Sequence, residues 1–327
     1  MSFFQRVENT IVHYLTDKVH QTLLKKERNL IEKSFGVRIA DIQELANNQS
    51  LILVNSYHVL NGVYPRVPGI VEVGGIHIQP KNDTIPTHIE KFVAASENGV
   101  ILFSLGSQLS STSISKEKQD IFIRAFSKLK ERVIWKYADS AEEGTLIAHN
   151  ILRVKWLPQK ELLKHPKIKA FIGHGGMLGS LEALSAGKPM IIIPVFADQK
   201  LNAAALKDRG IAEILPLANL KEEDLDKALK TVSSTSMQER ARLLSSMWHD
   251  KERPPLDTAV YWTERIIRWG NQSQLYSQAK YLPFYQYALL DVTAFVIMVV
   301  ITVIVTSVYI LKYLLIIARS KTKKKIH

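Results

Sequence analysis

From Asn98 onward, short apolar runs alternate with longer amphipathic ones. "GVILFSLG", "RVIWKY", "ILRVKWLP", "KAFIGHG", "KPMIIIPV" and "IAEILP" hold adjacent apolar residues rather than an apolar–polar alternation. Strands of that kind are buried on both faces. Between them, Lys116 to Lys130, "QKELLKH", "MLGSLEALSAG" and "ADQKLNAAALKDRG" place apolar residues at helical spacing, and Gly210 closes the last of these as a C-cap. Regular strand–helix alternation with fully buried strands predicts an α/β domain, a doubly wound parallel sheet of Rossmann-like type. Further helices are predicted at about 221–248 and 256–270.

Upstream the pattern is different. Residues 1–50 carry Leu, Ile and Phe at helical spacing, and "SLILVNSY" (50–57) reads as a buried strand. Residues 64–88 hold four of the twelve prolines together with Gly69, Gly74 and Gly75, which marks a boundary. The predicted organisation is an N-terminal segment 1–63, a linker 64–97, the α/β domain with closing helices 98–270, a membrane-proximal segment 271–290, an apolar helix 291–311 and a tail 312–327.

Val292 to Leu311, "VTAFVIMVVITVIVTSVYIL", is uncharged and long enough to span a bilayer as one helix. Tyr281, Phe284, Tyr285 and Tyr287 precede it as a candidate aromatic belt; Lys312, Arg319, Lys321, Lys323, Lys324 and Lys325 follow it. The basic end is expected on the cytoplasmic side, with the body lumenal. The final "KKIH" resembles a dilysine retrieval signal of the endoplasmic reticulum, and N-x-S/T triplets at Asn48, Asn82 and Asn271 fit a lumenal glycoprotein. The N-terminus lacks the apolar stretch of a signal peptide. Together these features lead to the expectation that the chain is the C-terminal part of a longer protein.

Charge and cysteine content narrow the chemistry. The net charge is +12, and the basic tail accounts for much of it. No aromatic-interleaved basic patch points to nucleic acid. The chain has no cysteine, which excludes disulfides, thiolate metal ligands and thiol catalysis.

In open parallel sheets ligands bind beyond the carboxyl ends of the strands. The residues there are Ser107 after the first strand, Trp156 and Gln159 after the third, His174, Gly175 and Gly176 after the fourth, and Asp198 and Gln199 after the fifth. Backbone N–H groups at Gly175, Gly176 and the helix start suit phosphate oxygens. His174 and Ser107 add donors, Trp156 a flat face for a base, and Gln159 a partner for its polar edge. Glu182, two turns into the helix, suits ribose hydroxyls, and Asp198 with Gln199 suits the hydroxyls of a sugar. The ensemble describes a nucleotide-sugar. Gly173, Gly175 and Gly179 also hint at a dinucleotide fingerprint, but the next strand ends in Pro194-Val195-Phe196 without the acid that fingerprint requires.

"FSLGS", "WLPQ" and "HPKIKAFIGHGGMLGSLEALSAGKPMIIIPVFADQKLNAA", with the apolar helix and basic tail, resemble the UDP-glycosyltransferases, including the animal UDP-glucuronosyltransferases, from about residue 50 to the end. The resemblance implies the C-terminal, donor-binding domain of a GT-B fold, with residues 1–63 as part of an acceptor-binding domain. It implies Trp156 stacked on uracil and Gln159 bound to it, Ser107 and His174 on the diphosphate, Glu182 on ribose, and Asp198 and Gln199 on the sugar. Leu178 stands where some members carry Asn. The implied reaction is inverting transfer of a hexose, glucose or glucuronate, to a small lipophilic acceptor without metal or other cofactor. The implied location is the endoplasmic reticulum membrane, single-pass, with association into homo- or hetero-oligomers. The family's general base is a histidine oriented by an aspartate; His13, His20, His58, His77 and His88 match no such dyad, so no catalytic residue is assigned. The alternative is a donor-domain module that binds and regulates full-length transferases without turnover of its own.

Overall fold

The computed structural model describes residues 2–39, 42, 45, 48–79, 84–106, 114–137, 144–270, 275 and 277–323. It divides into two units, Leu51–Ser273 and a second comprising Met1–Ser50 and Gln274–His327.

The first unit holds a seven-stranded sheet. Its strands are β3 (Val100–Ser104), β4 (Arg132–Lys136), β5 (Thr145–Ala148), β6 (Ile151–Val154), β7 (Ile168–Gly173), β8 (Met190–Ile192) and β9 (Ala212–Ile214), in the order β5-β6-β4-β3-β7-β8-β9. All pairings are parallel except β5 with β6. With β5 set aside, the parallel strands follow the doubly wound order 3-2-1-4-5-6, which reverses direction between β3 and β7. A crevice therefore opens beyond the carboxyl ends of those two strands.

The sheet buries both faces, as its unalternating strands require. Val100 and Leu102 of β3 enter one apolar cluster, with Leu162, Leu181 and Trp248. Ile101 and Phe103 enter the other, where Phe103 packs against Phe122, Phe126 and Trp135 at centroid separations of 4.8, 5.7 and 5.0 Å. Such offset and edge contacts between aromatic rings add to the burial of their area. Asn150 pins the turn before β6 by donating from Nδ2 to the carbonyls of Phe126 and Glu131 at 2.9 and 3.0 Å.

Three features were not anticipated. The edge strand β5 has mixed burial and one register shift, so it leaves no apolar run to read. The predicted helix over 221–248 is two, Glu222–Val232 and Thr235–His249, because Ser234 accepts the Met237 amide and starts a new helix. Third, residues 64–97 contribute β2 (Ile70–Glu72) and a helix, Thr87–Ala94, whose Ile89, Phe92 and Val93 are buried in the main core. β2 pairs in parallel with β1 (Ile52–Val54), and Val71 and Val73 meet Ala259 of the helix Pro255–Trp269.

The second unit holds the helix Phe3–Phe35, opened by a reciprocal Ser2–Gln5 cap and closed by Gly36 in the left-handed region. It also holds the helix Leu290–Lys323. Leu290–Ile317 of that helix has a mean hydropathy of 2.8, long and apolar enough to cross a membrane. Asn82 and Asn271 lie outside the described residues.

Candidate functional site

A cleft of about 570 Å³ opens at the switch point. Trp156, Gln159, His174, Gly175, Gly176 and Glu182 all line it. Ser107 lies outside the described residues, although Ser104 and Gly106 of the same loop are in the wall. Asp198 and Gln199 are not part of the lining.

His174 is seated by glycines. A Cβ on Gly106 would lie 2.7 Å from His174 Cε1, and one on Gly176 would collide with Nε2. Gly175 has φ +83, and a Cβ there would press Ile192 Cγ2 at 2.8 Å. The strand end therefore turns sharply, and the ring stands between two residues that lack side chains. Burial holds the His174 pKa below its ordinary value, opposed by Asp198 and reinforced by Lys136. At neutral pH the ring is uncharged and carries one N–H. Gly176 is the N-cap of the helix Met177–Ser185, whose first-turn amides open toward the same space. Backbone donors, the helix dipole and an imidazole N–H converge there, which is a setting for a phosphate group.

Trp156 stands at the mouth of the cleft, 66% exposed, with Lys136 Nζ 4.2 Å from its ring centroid. A large indole left this open is available to stack on a planar group. Deeper in, Gln159 Nε2 donates to Glu182 Oε2 at 2.7 Å. Glu182 Oε1 faces His77 Nε2 at 3.6 Å. The carboxylate is thus held by Gln159 and keeps lone pairs for a ligand.

Asp198 and Gln199 serve the loop after β8. Gln199 is buried, and its Oε1 accepts the amides of Val195 and Phe196 at 2.8 and 3.1 Å. Asp198 holds the N-cap position of the helix Gln199–Asp208 without capping it; its Oδ2 accepts from Asn202 Nδ2 at 2.7 Å. Asn202 also donates to the Gly175 carbonyl at 2.9 Å, tying this loop to the glycine turn.

Sequence reasoning missed His77, Lys136 and Asn202 as parts of this site. In the sequence His77 stands only among the histidines compared with the family's general base. Lys136 ends β4, one strand over from β3, and a reading of strand ends that included β4 would have found it. Asn202 leaves only a polar residue in an alanine-rich helix as a signal.

Comparison with known proteins agrees with this architecture. The family model described as UDP-glucoronosyl and UDP-glucosyl transferase matches residues 1–325. UDP-glycosyltransferase UGT5 of Dactylopius coccus is 40% identical over 312 residues, covering 94% of this chain and 59% of that protein. UDP-glucuronosyltransferase 2A2 of Homo sapiens is 35% identical over 306 residues, covering 93% of this chain and 56% of that protein. The chain spans between half and two thirds of the length of these relatives. In fold, the kitacinnamycin glycotransferase superposes with a TM-score of 0.57 at 22% identity, over 80% of this chain and 66% of the other. The α/β unit is therefore a GT-B glycosyltransferase domain, and the chain belongs to the UDP-glucuronosyl and UDP-glucosyl transferase family.

Proposed function

We propose that the cleft at the β3–β7 switch point binds UDP-sugar and that the chain supplies the donor side of a UDP-glycosyltransferase. The observation that carries this reading is the seating of His174. A neutral imidazole wedged between Gly106 and Gly176, at a helix N-terminus, faces the same cleft as the open Trp156 ring and the Gln159–Glu182 pair. Trp156 stacks on uracil, Gln159 meets its edge, and Glu182 accepts from ribose. His174 and the first-turn amides hold the diphosphate and stabilise the charge that grows on it as UDP departs. Ser107 adds a hydroxyl to the diphosphate.

Asp198 and Gln199 contact the sugar. With its Oδ2 held by Asn202, Asp198 offers Oδ1, and Gln199 offers its amide nitrogen. The sugar is a hexose, glucose or glucuronate, passed with inversion to the hydroxyl of a small lipophilic acceptor, without metal. No residue of this chain is assigned to deprotonating that hydroxyl. The apolar helix anchors the protein once in the endoplasmic reticulum membrane, with the basic tail cytoplasmic and the body lumenal, and related transferases are its oligomeric partners.

Calorimetric titration of UDP into the full chain in detergent micelles tests the donor site. Micromolar binding that weakens on His174→Ala is expected. A folded chain that binds no UDP, or binds it equally well without His174, rules this reading out.

A further inference from the structure

Lys136 stands between the two ends of the cleft. The sheet order β6-β4-β3-β7 sets β4 between β6, whose chain runs on to Trp156, and β7, whose chain runs on to His174. The register pairs Trp135 with Phe103, so Lys136 falls level with Ser104, and Ser104 pairs with Gly173. On its other side Lys136 pairs with Val154. Ile134 and Val154 are buried in the cluster that holds Leu181 and Leu184 of the helix Met177–Ser185, whereas Trp135 turns to the opposite face. By strand alternation Lys136 projects on the side of that helix, into the cleft it lines. The glycine turn lies two strands away, about 10 Å by strand spacing, and a flexible four-carbon stem bridges much of that span.

The ammonium has two neighbours in the cleft. Its Nζ lies 4.2 Å from the centroid of the Trp156 ring, a cation–π distance. It also acts on His174, adding to the burial that holds the imidazole neutral. Burial lowers the pKa of Lys136 itself, as expected of a cation drawn partly out of water. A diphosphate calls for such a group. The glycine-turn amides and the neutral His174 offer hydrogen bonds but no full charge. Lys160, the other lysine among the described lining residues, is turned to the Gln79 carbonyl at 3.4 Å and to Glu161 at 3.5 Å.

We propose that Lys136 is a specificity-determining residue with two positions: in the free protein its ammonium covers the cleft side of the Trp156 ring, and on binding it yields that face to the base and moves to the diphosphate. The cleft then selects a nucleoside diphosphate over the nucleoside, because the base alone must displace the cation without giving it a new partner. This rests on the reading of the cleft as a UDP site. It adds to that site a residue of β4, a strand whose end carries none of the donor motifs.

Uridine and UDP are titrated calorimetrically into the full chain in detergent micelles, for the wild type, Lys136→Met and Lys136→Arg. Methionine keeps the apolar stem and removes the charge. Lys136→Met is expected to tighten uridine about two- to fivefold, the worth of a cation on an exposed indole. It is expected to weaken UDP about fivefold, because the lost charged partner of the phosphates outweighs the freed ring. Changes of opposite sign do not come from a loosened fold. Lys136→Arg keeps the charge and should keep most of the preference for UDP. Uridine bound by Lys136→Met no more tightly than by the wild type, UDP bound as tightly as by the wild type, or an arginine variant that behaves like the methionine one overturns the proposal. A wild type that binds neither ligand removes the donor-site reading itself, and this is seen before any variant is made.

Discussion

A methyl group on Gly106 would sit 2.7 Å from Cε1 of His174, closer than packed carbons approach, so the imidazole holds its place because Gly106 has no side chain. Gly176 flanks the ring on its Nε2 side in the same way, but with φ −62, where any residue is comfortable. Gly176→Ala therefore isolates the steric effect from backbone strain. It should displace His174 and reduce UDP affinity about tenfold, the worth of one hydrogen bond to a charged phosphate. Folding stability should fall by no more than about 1 kcal/mol, the scale of an altered N-cap. Calorimetry with UDP and a thermal melt check the two halves; unchanged affinity would show that His174 does not touch the ligand.

Trp156 separates binding from stability more cleanly. Its ring is 66% exposed, so Trp156→Ala should shift unfolding by only about 0.5 kcal/mol, as for surface sites generally. If uracil stacks on it, UDP affinity falls by about 1–3 kcal/mol, the range for a base on an aromatic platform. Trp156→Phe should recover part of the loss. Retention of full affinity by the alanine variant would place the base elsewhere.

The legible and illegible parts of this chain differ in how their residues are buried. β3, β4, β7 and β8 are interior parallel strands, and their continuous apolar runs follow from having helices on both faces. β5 lies at the edge, paired on one side, and its half-buried TLIA carries no such signature. The glycine turn around His174 was readable because a strand, a histidine between glycines and a helix start fall in one short stretch. His77 was not, because its partners Leu178 and Glu182 are a hundred residues away and only tertiary packing joins them. For Gln199, residue type pointed to a ligand contact but not to its orientation: the carbonyl oxygen accepts from Val195 and Phe196, which leaves the amide nitrogen for a ligand.

Three histidines should make the protein sensitive to mild acid. His77, His165 and His174 all have pKa values lowered chiefly by burial. In the unfolded chain they return to about 6.5. Below that value the unfolded chain takes up protons that the folded chain refuses, so stability is complete above about pH 7 and declines as pH falls through the folded values. Urea unfolding followed by tryptophan fluorescence at several pH values between 5 and 8 should show the midpoint dropping on the acid side. His165→Gln, away from the cleft, should flatten the decline without altering UDP affinity. A midpoint constant from pH 7 to 5 would contradict the burial-driven shifts.

Asn202 joins the two loops that frame His174. It is buried, and one amide nitrogen donates both to the Gly175 carbonyl at 2.9 Å and to Asp198 Oδ2 at 2.7 Å. Asn202→Ala leaves that carbonyl without its donor, which should cost about 1–3 kcal/mol of stability. Asn202→Asp should be worse, because it sets a carboxylate against a carbonyl and against Asp198 with little water to screen them. Both variants also free the turn that carries His174, so UDP affinity should fall along with the melting temperature. Asn202→Asp in an Asp198→Asn background distinguishes repulsion from lost packing: the exchanged pair can again share a hydrogen bond and should recover part of the stability. If the double variant is as unstable as Asn202→Asp alone, the contact to Asp198 contributes little, and the bond to Gly175 alone sets the geometry of the turn.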